Sequence, residues 1–284
     1  MHSRSFHLYF DIGNTRAKWA LAYPNSHRGE WYRYGVYPHQ QHTSVAFLEE
    51  FKHYRIEKVW CVNVAGTQLQ ALFDTALGRL AFRPSVQYVT ATQHYLHLHN
   101  GYDQPERLGA DRWLAALAAS YFYAKQDLFI VSMGTATTID VVNARARFLG
   151  GWILPGLTTM LTSLGQATAQ LPIFEDLVCT DRQPDGLPSF PVPLQGDPYN
   201  FGQDHITSPN HFGRDTVPAI YQGCLASQIG AIKHCFNLSC VDMGAVPICI
   251  LTGGARQAIV DKLGFPVIEI PDLVLQGLQL YADS

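Results

Sequence analysis

The segment from Asp11 to Lys18 concentrates side chains that can bind phosphate groups. It reads Asp-Ile-Gly-Asn-Thr-Arg-Ala-Lys and stands between two apolar runs, which predicts a β-hairpin with Gly13 in its turn. A glycine lets backbone N–H groups approach a ligand closely, and the nearby amide, hydroxyl and ammonium groups can donate to phosphate oxygens. The Asp11 carboxylate can hold the water shell of Mg²⁺. A tight hairpin with an Asx turn at Asn14 explains the same residues without a ligand, so both interpretations stay open.

A second turn of the same chemistry follows the apolar strand pattern at 128–132. Its residues, from Met133 to Thr138, are Met-Gly-Thr-Ala-Thr-Thr, and an apolar strand returns after them. The repetition of a strand, a turn of glycine and hydroxyl groups, and a returning strand indicates an internal duplication of a βββαβα unit. Two such turns that faced each other would clamp a polyphosphate between two domains.

A third glycine turn, Gly253-Gly254, joins the apolar strand pattern at 246–251 to a helix that is predicted to begin at about Ala255. Backbone N–H groups at such a helix entry suit a nucleotide, and the glycines leave room for a flat base or a ribose. An ordinary connection between a strand and a helix is the alternative explanation of this turn.

The residues Gly109-Ala110-Asp111-Arg112 open a helix pattern that runs from 110 to 125. A carboxylate at a helix start is stabilised by the exposed N–H groups, so the helix alone can explain Asp111, with Arg112 as its surface partner. In the functional interpretation, Asp111 faces a cleft and aligns a substrate hydroxyl, while Arg112 binds an anionic group of the substrate. The two roles of Asp111 are compatible.

Two further sets of residues have side chains that can bind a metal or be oxidised. His94, His97 and His99 have a spacing that zinc could use, but histidines in a loop are the favoured interpretation because no fourth ligand is evident. The six cysteines are scattered without a Cys-x-x-Cys pair, which is typical of reduced thiols in a cytosolic protein.

The composition excludes several classes of protein. The chain has 284 residues, of which 47% are hydrophobic and 15% are charged, enough for one large or two medium domains. The net charge is −3 and no basic block occurs, so a nucleic-acid surface is not indicated. No apolar run resembles a signal peptide or is long enough to cross a bilayer, and we therefore expect a cytoplasmic protein that makes no membrane contact.

The alternation of strand and helix patterns predicts an α/β fold of two domains, 1–124 and 125–284. Strands are predicted at 6–10, 17–22, 31–37, 58–64, 86–90, 128–132, 139–142, 148–154, 246–251 and 267–270. Helices are predicted at 45–54, 68–80, 110–125, 157–169, 217–236 and 273–281. The proline-rich stretch 172–213 is predicted to be a long surface loop.

Five motifs occur in register along the chain: DIGNTxxK at 11–18, GADR at 109–112, GTATTID at 134–140, GGWIxPG at 150–156 and TGG at 252–254. Together they resemble the type III pantothenate kinases, which belong to the superfamily of actin, sugar kinases and chaperone ATPases. The resemblance implies two ribonuclease H-like domains, as in actin-like ATPases, with an ATP cleft between them. It also implies a homodimer that phosphorylates pantothenate with ATP, giving 4'-phosphopantothenate in the first step of coenzyme A biosynthesis.

The resemblance further implies roles for individual residues, with Asp111 as the catalytic base and Asp11 as the Mg²⁺ partner through water. ATP would be bound by Asp11, Ile12, Gly13, Asn14, Thr15, Arg16, Ala17, Lys18, Gly134 and Thr135, with Gly253 and Gly254 at the third glycine turn. Pantothenate would be bound by Tyr102, Gly109, Ala110, Asp111 and Arg112, and by Thr216 supplied across a dimer interface.

Two departures from the family pattern bear on these roles. Many members carry an aspartate that coordinates a monovalent cation where this chain has Ser132, and a hydroxyl is a poorer ligand for K⁺ or NH₄⁺ than a carboxylate. Asp215 replaces the usual asparagine before Thr216, and the proline-rich segment before it is longer than usual. The alternatives are a nucleotide-binding regulatory protein of the same fold with decayed catalysis, or a kinase of another small hydroxylated substrate such as a sugar or acetate.

Overall fold

The computed structural model describes residues 5–39, 49–167 and 212–283. Its strands are β1 (Ser5–Ile12), β2 (Arg16–Ala22), β3 (Arg33–Pro38), β4 (Arg55–Asn63), β5 (Ser85–Tyr88), β6 (His94–Tyr95), β7 (Leu98–Asn100), β8 (Leu128–Met133), β9 (Ala136–Val142), β10 (Arg147–Pro155), β11 (Ile248–Thr252) and β12 (Val267–Glu269). Its α-helices are α1 (Thr67–Leu77), α2 (Ala110–Phe122), α3 (Leu157–Ala167), α4 (Thr216–Met243) and α5 (Leu273–Ala282). Short 3₁₀ helices span Pro105–Arg107, Gly254–Ala258 and Val260–Lys262.

The strands form two sheets. The first has the order β3-β2-β1-β4-β5, and the second has the order β12-β11-β8-β9-β10-β7-β6. In the first sheet β1 is antiparallel to β2 and parallel to β4, which is itself parallel to β5. Three antiparallel strands followed by parallel ones joined through a helix are the arrangement that the duplicated βββαβα pattern predicts.

The described chain divides into two compact units. The first unit comprises Met1–Ile130, Asp140–Gly151 and Asp272–Ser284, and the second comprises Val131–Ile139 and Trp152–Pro271. The domain boundaries of 1–124 and 125–284 remain a prediction, and each unit is described by itself.

The core of the first unit is built around β1, whose central residues Leu8, Tyr9 and Phe10 are all buried. A strand buried on both faces carries a continuous apolar run rather than an alternating one. Helix α2 is buried along most of its length and packs closely on α5, because Gly277 leaves no side chain between its own backbone and the Leu114 carbonyl. The element that begins at the GADR motif is therefore rigidly supported.

The structure corrects several details of the predicted elements. Helix α4 continues past the predicted end at Phe236 to Met243, since the intervening residues contain no helix breaker, and it ends at Gly244 in the left-handed conformation. The helix predicted from about Ala255 is instead two short 3₁₀ helices, which end before Gly264, another residue with positive φ. The predicted loop at 172–213 lies outside the described residues except for its last two positions, and so do residues 45–48 of the predicted helix at 45–54, of which 49–51 are helical.

Within the described ranges, no helix combines the length and the apolar character that crossing a membrane requires.

Candidate active site

The DIGNT turn, residues 13–15, closes the β1–β2 hairpin in the first unit. The Gly13 N–H donates to the Arg16 carbonyl over 3.1 Å, and Asp11 lies opposite Lys18 in the strand pairing. The tip residues Asn14 and Thr15 are exposed. The predicted hairpin is thus confirmed, and its tip is open to a ligand.

A histidine that the sequence did not single out holds this turn in place. The backbone N–H of His39 donates to the Thr15 carbonyl over 3.0 Å, and the His39 ring contacts the Gly13 carbonyl. His39 reaches the turn because β3, which it follows, pairs with β2. No local pattern marks a residue that acts across a strand pairing, so sequence reasoning had no signal for it.

In the folded chain, the nearby positive charges do not fully offset the cost of ionising the Asp11 carboxyl. Burial and, to a smaller extent, the negative charge of Asp111 raise its pKa to about 6, although Lys18 and Arg16 act in the opposite direction. Within the first unit, Asp111 is therefore near enough to Asp11 for its negative charge to affect the Asp11 pKa. Two neighbouring carboxylates with an unfavourable shared charge fit a divalent cation, which is commonly held by one or two carboxylates and substrate phosphates.

Asp111 lies in the first turn of α2, as predicted, with Gly109 as the N-cap residue. Its Oδ1 accepts a hydrogen bond from the Arg112 N–H over 2.9 Å. Burial raises the pKa of the Asp111 carboxyl, and this hydrogen bond and the Arg112 charge partly offset the rise. A Cβ at Gly109 would lie 2.7 Å from Asp111 Oδ1, so a glycine is needed to leave the carboxylate in this position.

Arg112 is only 6% exposed, which makes the interpretation of a surface partner for Asp111 wrong. Its Nε donates to Asp140 Oδ1 over 2.9 Å, and its Nη2 forms a short ion pair with the same oxygen. Its Nη1 donates to the Tyr102 hydroxyl over 2.8 Å. The guanidinium carbon lies 5.7 Å from the ring centres of both Tyr102 and Phe148. Electrostatic and aromatic contacts therefore fix the guanidinium from several directions.

Asp140 is the main residue of this cluster that sequence reasoning missed. It is 2% exposed, and a buried carboxylate requires a partner such as Arg112. A signal was present, because Asp140 is a charged residue inside the apolar run Ile139-Asp140-Val141-Val142. A charge at a buried strand position predicts a buried partner, although the sequence does not reveal which residue it is.

The GTATT turn, residues 134–138, lies in the second unit. The Gly134 N–H donates to the Ala136 carbonyl over 2.9 Å. The Thr135 carbonyl accepts two hydrogen bonds, from the Gly156 N–H over 2.9 Å and from the Thr159 hydroxyl over 2.6 Å. Gly134 and Thr135 are exposed, so this tip is also open to a ligand.

Two glycines allow neighbouring backbone to pack directly on the GTATT turn. A Cβ at Gly156 would overlap the Gly134 carbonyl oxygen and would lie 2.7 Å from that of Thr135. A Cβ at Gly253, whose φ is +91°, would overlap the backbone of Met133. The predicted nucleotide turns at 134–135 and 253–254 are therefore neighbours within the second unit.

Charged side chains also hold the TGG turn, residues 252–254. Arg256 Nη1 donates to the Gly253 carbonyl over 3.0 Å, and Arg256 Nε pairs with Glu269 over 3.0 Å. Gly254 begins a 3₁₀ helix rather than an α-helix. The turn retains its glycines at the strand end, but it does not open the regular helix that the sequence predicts.

Thr216 is the first residue of α4 and is exposed. The Asp215 carboxylate caps this helix by accepting a hydrogen bond from the Thr216 N–H over 2.6 Å. Asparagine and aspartate are equally good N-cap residues, so the Asp215 departure from the family pattern preserves the helix start.

The three histidines occupy a short hairpin of β6 and β7 that the sequence did not predict. The rings of His94 and His99 lie 4.4 Å apart, and His97 Nε2 bonds to Ser120 over 2.9 Å. Across the described ranges, no group of three or more His, Cys, Asp or Glu side chains is arranged to hold a metal ion.

The fold defines the class of the protein. Among solved structures, the activator of the 2-hydroxyisocaproyl-CoA dehydratase from Clostridium difficile, with bound ADPNP, matches with a TM-score of 0.51 and 11% identity. The match covers 98% of this chain and 94% of that one. The chain has the two-domain α/β fold of the actin-like ATPases, as predicted.

Sequence comparison then identifies the family. The family model described as type III pantothenate kinase matches residues 7–186. The type III pantothenate kinase of Janthinobacterium sp. (strain Marseille) is 34% identical over 281 residues, which cover 97% of this chain and 96% of that one. That of Cupriavidus pinatubonensis is 34% identical over 296 residues and covers 98% of both. The chain belongs to the type III pantothenate kinase family, which confirms the resemblance.

Proposed function

We propose that this chain transfers the γ-phosphoryl group of ATP to the primary hydroxyl of pantothenate, giving 4'-phosphopantothenate for coenzyme A biosynthesis. The observation that carries the proposal is the family match over nearly the whole chain, because a fold alone does not determine a substrate. The cluster of Asp111, Arg112 and Tyr102 in the first unit supports it, since it supplies a base and an anchor for an anionic acceptor.

Asp111 is the proposed catalytic base. Phosphoryl transfer depends on positioning and charge neutralisation more than on covalent help, so the base has to orient the attacking hydroxyl and accept its proton. Burial raises the Asp111 pKa above its usual value, and a carboxylate with a higher pKa is a stronger proton acceptor.

Arg112 and Tyr102, with Gly109 and Ala110, are the proposed pantothenate-binding groups of the first unit. Arg112 uses three of its five N–H groups on Asp140 and Tyr102. We propose that Arg112 meets the pantothenate carboxylate through its other N–H groups. Its planar fork is already fixed before binding, which lowers the entropy lost when the substrate is bound.

The DIGNT and GTATT turns are the proposed binding sites for the phosphates of ATP. Both tips are exposed and carry polar side chains that can donate to phosphate oxygens, Asn14 and Thr15 in the first turn and Thr135 in the second. A kinase of this fold uses ATP with a divalent metal, and we propose Mg²⁺ held by Asp11 through water. The cation would neutralise phosphate charge there. The proposed ATP-binding residues are Asp11, Ile12, Gly13, Asn14, Thr15, Arg16, Ala17, Lys18, Gly134, Thr135, Gly253 and Gly254.

Two finer features accompany the proposal. We propose a homodimer in which Thr216 contributes to the pantothenate site of the second copy; its exposure at the start of α4 leaves it available for that contact. Activation by K⁺ or NH₄⁺ is expected to be weak, because Ser132 offers a neutral hydroxyl where many relatives have a carboxylate.

An ADP-release assay with a panel of acceptors tests the proposal. We expect ADP release that depends on pantothenate, together with phosphopantothenate detected by mass spectrometry, and little release with acetate or simple sugars. A regulatory protein with decayed catalysis would release no ADP with any acceptor, and a kinase of a different substrate would prefer another member of the panel. Either result would refute the pantothenate assignment.

A further inference from the structure

Asn100, the last residue of β7, is 2% exposed and forms hydrogen bonds with three separate chain segments. Its Nδ2 donates to the carbonyl oxygens of Thr92 and Pro105, over 3.2 and 3.1 Å. Its Oδ1 accepts a hydrogen bond from the Tyr102 N–H over 3.0 Å. Its backbone N–H donates to the Gln93 carbonyl, and its carbonyl accepts a hydrogen bond from Gln93 Nε2. Both ends of the side-chain amide are thus hydrogen-bonded in a buried position.

These bonds determine the path of the loop that leads to the GADR motif. The bond to Tyr102 fixes the start of the loop, and the bond to Pro105 fixes the 3₁₀ helix Pro105–Arg107 that lies just before Leu108. Leu108 is buried, and Gly109 follows it as the N-cap of α2. Asn100 therefore holds both Tyr102, which contacts Arg112, and the 3₁₀ helix that lies shortly before Asp111.

The neighbouring backbone leaves this loop little freedom. A Cβ at Gly101 would overlap the Phe148 carbonyl, so the loop packs directly on β10. Phe148 is paired with Asn100 across β7 and β10, and its ring lies 5.7 Å from that of Tyr102. This packing directs the Tyr102 hydroxyl to Arg112 Nη1.

An asparagine suits this position better than its closest substitutes. The site needs two donors for the carbonyls of Thr92 and Pro105 and one acceptor for the Tyr102 N–H, which is the complement of an amide side chain. Aspartate would keep the acceptor but would place a charged oxygen against two carbonyls. Alanine would leave three partly buried polar groups without their partner, which is costly.

We propose that Asn100 is a positioning residue for the pantothenate site. It holds the backbone of Tyr102 and the 3₁₀ helix at Pro105, and through them it keeps the Tyr102 hydroxyl and the GADR segment in the geometry that binds the acceptor. It touches no substrate itself. This inference rests on the proposed function, because it takes Tyr102 and Arg112 to be the acceptor-binding groups.

Steady-state kinetics of Asn100→Ala and Asn100→Asp test the role in binding. We expect the KM for pantothenate to rise about tenfold or more in both variants, while the KM for ATP stays within about twofold. Asn143→Ala is the matched control, since Asn143 also caps a loop by accepting the N–H groups of Arg145 and Arg147. We expect its KM for pantothenate to equal that of the unmodified chain. Should Asn100→Ala fail to fold, Asn100→Asp carries the same test.

Amide hydrogen exchange of residues 101–108, measured without ligand, separates this inference from the proposed function. We expect faster exchange there in both Asn100 variants and not in Asn143→Ala. Unchanged exchange, or faster exchange with an unchanged KM for pantothenate, overturns the positioning role. Faster exchange in a chain that does not turn over pantothenate at all supports the structural role of Asn100 and refutes the proposed function instead.

Discussion

The DIGNT and GTATT turns offer similar groups to a ligand but are supported in different ways. In the first unit the turn is held by His39 and lies in the electrostatic field of Asp11, Lys18 and Asp111. In the second unit the turn is held by backbone that packs directly against Gly156 and Gly253. A short motif therefore indicates what a turn can bind, whereas the surrounding fold decides how the turn is held.

The difference indicates a division of roles. The first unit carries two carboxyl groups whose pKa is raised by burial, Asp11 and Asp111, and the latter is the proposed base. In the second unit, the backbone packs so closely on Gly156 that a Cβ added there would displace a carbonyl. Substitutions of Asp11 and Asp111 should change the chemistry and its pH dependence, and substitutions of the glycines that support the GTATT turn should change nucleotide affinity.

The largest expected effect is that of Asp111→Asn in the first unit. Removing the base should lower kcat by about two orders of magnitude or more and leave the fold and the KM for ATP nearly unchanged. Steady-state kinetics measure this, with the exposed Asp103→Asn as a control that keeps normal turnover. Near-normal kcat in Asp111→Asn would remove Asp111 from the catalytic role.

The next effect is that of Gly156→Ala in the second unit. The added methyl group would displace the carbonyls of Gly134 and Thr135, and we expect the KM for ATP to rise about tenfold or more. Gly230→Ala is the control, because within the described chain no atom lies within 4 Å of a Cβ added there, apart from the helix itself. That substitution in α4 should stabilise the fold slightly. Equal ATP kinetics in the two variants would show that the GTATT turn does not need its glycine support.

A third prediction uses the pKa of Asp11, which folding raises from 3.8 to about 6. Because the folded state binds this proton more tightly than the unfolded state, ionisation of Asp11 destabilises the fold as the pH rises from about 4 to 6. In metal-free buffer Asp11→Asn should therefore be more stable than the unmodified chain at pH 7.5, by about 1 to 3 kcal/mol. The gain should vanish near pH 4.

Urea unfolding at both pH values measures this difference, and the exposed Asp261→Asn should show no such gain. A gain of equal size at pH 4 would mean that the charge of Asp11 is not its cause.

The smallest effect should come from His39→Ala. It removes the ring contact to the Gly13 carbonyl but leaves the backbone bond to Thr15, so we expect the KM for ATP to rise only about two- to tenfold. The exposed His27→Ala serves as the control. A rise in the KM for ATP as large as that in Gly156→Ala would contradict the proposed difference between the supports of the DIGNT and GTATT turns.

Local patterns predicted much of the fold and the chemistry of its turns. The DIGNT hairpin and the position of Asp111 at the start of α2 followed from apolar spacing, glycines and the preference of a helix start for a carboxylate. The roles assigned to individual site residues remain proposals.

What the sequence did not reveal depends on contacts between distant residues. Asp140 meets Arg112 because a strand and a helix are packed together, and His39 meets Gly13 because β2 pairs with β3. The predicted end of α4 at Phe236 is too early, because the helix continues to Met243 and ends at Gly244.

Binding of a non-hydrolysable ATP analogue to one variant of each turn tests the central claim most directly. If both turns bind the phosphates of one nucleotide, Lys18→Met and Thr135→Ala should each lower the affinity for the analogue by about tenfold. Calorimetric titration measures this, and the affinity for adenosine should be unchanged. Analogue binding at the affinity of the unmodified chain in either variant would contradict the account.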